Sequence, residues 1–167
     1  MDSVAMSSDE KNRYPLIPVS CPSDCDFDAN IVATFVIEVK LFTNASIRAL
    51  NSMYYNAPRV KPGDEGDFAG YCLTSIAAIY DGHQEQALEK LVFPVLQEVN
   101  DMTPFVQRHA SYRDRINMFN EYMKSVAEKG PYDGTKAREL LESFGDDLVD
   151  TLRQEVWIWI LDTFGLF

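Results

Sequence analysis

The 167 residues, 46% of them hydrophobic, suffice for one domain with a real core and exclude a disordered chain. Fifteen basic residues against 26 acidic ones give a net charge of −11, a surface that repels nucleic acid and anionic membrane alike. No stretch reaches the roughly 18 apolar residues of a membrane span, and the apolar run over 157–161 stops at Asp162.

The first residues carry neither a basic region nor an apolar run, so no signal peptide is expected and a cytoplasmic location is. Cys21, Cys25 and Cys72 form no even disulfide framework. The Cys-x3-Cys spacing sits in a Pro-rich segment with no second pair downstream, and reads as free thiols, not as a metal or redox pair.

Residues 1–27 contain Pro15, Pro18 and Pro22 and show little periodicity, which predicts an extended N-terminal arm. Tyr14, Leu16, Ile17 and Val19 make that arm apolar enough to lie against the rest of the chain. A first helix follows Asp28, with Ile31, Phe35, Val39, Phe42, Ser46, Leu50 and Met53 stepping by three or four; Pro58, Pro62 and Gly63 end it. Asp64 and Asp67 suit the positive end of a second helix. It runs through Phe68, Tyr71, Ile76 and Ile79 to Leu91 and Phe93, with Gly82 and Pro94 as irregularities.

Thr103-Pro104 is an N-cap and first-turn pair. The helix it opens carries Phe105, His109, Tyr112, Ile116, Phe119, Met123 and Val126, and Gly130-Pro131 closes it. A last helical region covers about residues 135–163, with Gly145 as a candidate bend and Leu141, Phe144, Leu148, Leu152, Glu155 and Trp159 along one side. No strand pattern or repeat occurs. The prediction is all-α: an antiparallel four-helix bundle over residues 28–167 with an extended arm before it.

Periodicity also turns polar groups inward. Thr43 lies on the Val39, Ile47, Leu50 side of the first helix, and Glu85 and Glu89 share a face of the second. His109 is on the apolar stripe of the third helix with Arg113 one turn on; Thr151 and Glu155 repeat that step on the last. Helical bundles build interior sites from such pairs on facing helices.

These segments resemble the fungal hemerythrin-like (HHE) family over residues 28–164. That family shows His-Asn-x-x-Ile-Arg-Gly-Leu-Asn on helix one, His-x-x-x-Glu leading into Phe-Pro, His-x-x-x-His on helix three and His-Leu-x-x-Glu on helix four. The frame residues Ile47, Arg48, Leu50, Asn51, Phe93, Pro94 and Leu152 match. The departures fall on the iron ligands: Thr43, Glu85, Arg113 and Thr151 stand where histidines are expected, while Glu89, His109 and Glu155 remain. His83 is two residues from the ligand register, about 200° around an α-helix. A guanidinium cannot coordinate and repels a cation, so no metal and no cofactor are expected.

Two accounts of the replaced ring stay open. Arg113 balances the carboxylates that two metals leave behind, or the former metal chamber holds a ligand. The resemblance to the metal-depleted branch favours the second. It implies a cofactor-independent hetero-Diels–Alderase of fungal secondary metabolism, joining a tropolone o-quinone methide to a humulene-type terpene.

On that reading Arg113 and His109 act as donors to the heterodiene oxygen, and Glu85 and Glu89 orient them or assist water loss. Thr43, Ile47, Tyr71, Tyr112, Ile116, Phe144, Thr151, Glu155 and Trp159 line the substrate site. The alternatives are a residual metal- or oxygen-binding protein and a non-catalytic ligand-binding bundle. The apolar C-terminal residues Trp157, Phe164, Leu166 and Phe167 either pair two chains as a homodimer or fold back.

Overall fold

The computed structural model describes residues 13–18, 27–98 and 101–164, with side chains described outside 27–39 and 157–164. Cys21, Cys25, Val19, Ile31, Phe35, Val39, Trp159 and the C-terminal residues on which the homodimer expectation rests lie outside the described residues or side chains. Every regular element among the described residues is helical, as the 3–4 spacing of apolar positions requires. None of these helices is long and apolar enough to cross a membrane.

Helix α1 spans Phe27–Asn56 and gives way to a 3₁₀ turn at Ala57–Arg59. Pro58, having no N–H, stands in the first turn of that short helix, where the donor would be unused. Gly63 then takes φ of +101°, a left-handed conformation open to glycine, and the chain enters α2 (Glu65–Ile76). Glu65 and Asp67 place negative charge on its positive end.

The second helix departs from the expected α-helix. From Ala77 to Val92 it widens into a π-helix, and Phe93 N–H still bonds Leu88 O, five residues back. Buried positions in this π segment and just beyond it are Ile79, Tyr80, Gln84, Leu88 and Phe93, and from Tyr80 on they are spaced by four or five instead of three or four. Widened turns of this kind concentrate at functional positions. A four-residue helix, α3 (Phe93–Leu96), takes up the chain at Pro94.

Helix α4 (Thr103–Ala127) buries His109, Tyr112, Ile116, Phe119, Met123 and Val126, the predicted stripe. Its start lies one residue earlier than expected, with Met102 and not Thr103 in the cap position; Asp101 Oδ1, two residues before Thr103, accepts from Thr103 N–H at 3.0 Å. Its end is closed by Lys129 at φ +69° and by Gly130 N–H donating to Ser125 O at 2.8 Å. Helix α5 (Gly134–Phe164) starts on Asp133, whose Oδ1 accepts from Thr135 and Lys136 N–H, and continues through Gly145 without a break.

The chain divides into two compact units, residues 1–51 with 149–167, and residues 52–148. In the first, Asn44 and Asn51, one heptad apart on α1, clasp the arm. Each side-chain amide donates to and accepts from the backbone of one arm residue, Ile17 and Tyr14, at 2.8–2.9 Å. Arg153 adds a bond to Pro15 O at 2.8 Å. These bonds satisfy backbone groups of a segment that, over residues 13–18, belongs to no helix or strand. In the second unit α2 packs on α4, and Phe119 meets Phe144 edge-on with centroids 5.7 Å apart.

Candidate functional site

In the larger unit two base–carboxylate pairs join α4 to the π segment. His109 Nδ1 lies 2.7 Å from Glu89 Oε1; a carboxylate only accepts, so the imidazole N–H donates. The imidazole is wholly buried and the Glu89 side chain is 19% exposed. One turn along α4, Arg113 donates from its η nitrogen to Glu85 Oε1 at 2.8 Å and from Nε to Tyr80 Oη at 2.7 Å.

Aromatic rings hold the imidazole. Phe93 and Tyr112 stand 5.7 and 6.3 Å from it by centroid, and Tyr80 packs edge-on against Tyr112 at 6.0 Å. Burial raises the Tyr80 phenol above its usual range, and the opposing pull of Arg113 is the smaller effect. The same hydrogen bond makes Arg113 a still weaker acid. Tyr112 Oη donates to Gln84 Oε1 at 2.9 Å, inside the core.

The predicted site residues are only partly brought together. Glu89 meets His109, and Glu85 meets Arg113. Arg113 was expected inside, yet its side chain is 42% exposed, and Glu85 is 28% exposed. Tyr71, expected to line a pocket, is 41% exposed: α2 turns Ala69, Cys72 and Ile76 inward and leaves position 71 outside. Phe42 is exposed for the same reason, since α1 turns Thr43, Ser46 and Ile47 inward. Tyr112, Ile116 and Phe144 are buried in the larger unit. Thr43, Ile47, Thr151 and Glu155 are buried in the smaller one.

Gln84 and Tyr80 are the residues that periodicity missed. An α-helical phase points Glu85 and Glu89 at the core; the widened helix gives that place to Gln84 and leaves both carboxylates at its margin. Gly82 and Pro94, flagged as irregular, were the visible signal.

The donors present do not suit a di-iron centre. Among the described residues no three His, Cys, Asp or Glu side chains gather as a metal ion needs. Glu85 is tied to a permanent cation, and His109 Nδ1 is turned to Glu89.

Among the described residues of this unit two cavities stand out. One of about 280 Å³ adjoins the pair, with Glu89, Phe93 and Met102 in its wall. The other, about 480 Å³, lies at the loops beside Gly63, Lys129 and Tyr132 and contains none of the predicted residues. No family model, curated protein or solved structure matches the chain.

Proposed function

We propose that the chain is a hemerythrin-like antiparallel four-helix bundle working as a cofactor-independent hetero-Diels–Alderase. Its substrates are a tropolone o-quinone methide and a humulene-type terpene. The observation that carries the reading is the buried His109 imidazole, held at 2.7 Å by Glu89 at two positions of the former ligand ring. The cycloaddition forms one C–C and one C–O bond with no group leaving, so the protein has only to align the partners and polarise the heterodiene. His109, as the imidazolium, donates its Nε2–H to the heterodiene oxygen while Nδ1–H stays on Glu89, which fixes its orientation. Arg113, at the margin, draws the polar ring system by its charge. The aromatic neighbours Phe93, Tyr80 and Tyr112 favour a mostly apolar substrate.

The test is product formation from a quinone methide generated in the presence of the terpene. The native protein should yield one stereoisomer, and His109→Asn should lower the rate by about 100-fold and erode selectivity. Equal rates and selectivity in the folded variant would remove His109 from the mechanism. Stoichiometric iron in the purified protein would favour a metal or oxygen carrier instead. Absence of any rate above background would leave a ligand-binding bundle.

A further inference from the structure

We propose that the cavity beside Glu89 binds a small organic ammonium ion, with its cationic head on the Glu89 carboxylate. This site does not depend on the cycloaddition reading. Its volume, about 280 Å³, matches a fragment-sized ligand, just under the roughly 300–1,000 Å³ of larger small-molecule sites.

The cavity opens at the start of α4, and helix starts ordinarily attract anions through unused N–H groups. Here those donors are already engaged. Met102 N–H donates to Gln97 Oε1 at 2.8 Å, and Thr103 N–H to Asp101 Oδ1 at 3.0 Å. Pro104 has no N–H. Phe105 and Val106 N–H both bond Met102 O, at 3.1 and 3.3 Å. The Thr103 hydroxyl also serves Asp101. The backbone donors are thus spent, and the Gln97 amide, whose Nε2 lies 3.5 Å from Asp101 Oδ1, leaves an anion no charged partner.

What the walls do offer is one full charge. Among the described residues Glu89 is the only ionisable side chain lining the cavity, part exposed, with one oxygen anchored by His109. Phe93 adds an aromatic wall, Met102 a polarisable sulfur, and Pro94 and Val106 aliphatic surface. A carboxylate beside an aromatic ring in an apolar recess recognises an alkyl- or arylammonium by charge-assisted hydrogen bonding and cation–π attraction.

The experiment is calorimetric titration of the full chain at neutral pH with benzylamine, benzyl alcohol and benzoate. Benzylamine, there an ammonium ion, should bind saturably. Benzyl alcohol should bind at least about tenfold more weakly, and benzoate not at all. Glu89→Gln, which keeps an acceptor for His109, should weaken benzylamine at least about tenfold. Val106→Trp, at the exposed rim, should block entry without touching the charge. The proposal is overturned if benzylamine does not bind, if benzyl alcohol equals it, or if Val106→Trp binds it like the native chain. Should Glu89→Gln fail to fold, the alcohol comparison and Val106→Trp still decide.

Discussion

The Glu89–His109 and Glu85–Arg113 pairs join the same two elements one turn apart, at 2.7 and 2.8 Å. They differ in water. The imidazole is wholly buried, while the guanidinium is 42% exposed and its carboxylate 28%. Coulomb attraction at equal distance is several times stronger where water is excluded, and breaking a buried pair leaves a polar group with nothing to bond. Separation alone therefore says little about what a pair contributes. Burial ranks the two.

The largest effect should come from the buried partner. Glu89→Ala strands the imidazole N–H in the core and should lower unfolding stability by about 2 kcal/mol in urea titration. It should also lose the His109 ring signature in NMR spectra. A loss under about 0.5 kcal/mol would mean the carboxylate is not needed to hold the ring.

Arg113→Met is the matched change on the exposed pair. It should cost less than about 1 kcal/mol, and nothing measurable at about 1 M salt, where screening reaches about 3 Å. Tyr80 Oη keeps a long bond to His109 O at 3.5 Å, which limits the damage. A salt-independent loss as large as that of Glu89→Ala would erase the distinction between the pairs.

The smallest effect belongs to Asp101, fully exposed, whose carboxyl is held below its usual range by hydrogen bonds from the Thr103 hydroxyl and N–H. A lowered folded value means the stabilisation is complete above the ordinary value of 3.8 and is lost as pH falls through the lower folded one. Asp101→Asn should flatten that acid limb of the melting curve and leave neutral pH nearly unchanged. An unaltered limb would show that the cap does not titrate with folding.

How far these pairs could be read in advance differs by element. The stripe of α4, from His109 to Val126, was legible because an unbroken α-helix keeps its phase over 25 residues. The pairing of Arg113 with a glutamate was legible from charge balance. The inward place of Gln84 was not, since a π-helix shifts the phase of every residue after Ala77. Of the arm, described over residues 13–18, the burial of Tyr14 was legible from its apolar character. That Asn44 and Asn51 would clasp the arm was not, because a side chain's choice between local and distant backbone leaves no periodic trace.

By itself, then, the amino-acid order determined an all-helical chain, its main breaks at Pro58, Gly63 and Gly130, and an acidic surface with a few polar groups inside. Apolar period and turn chemistry act over a few residues and need no partner to be read. Tertiary structure alone decided which of two similar ion pairs meets water, and that Cys72, driven up to about 12 by burial, is a core thiol and not a reactive one. Solvent exclusion is set by what packs from elsewhere in the chain. The same exclusion left one buried imidazole with its carboxylate beside a small cavity.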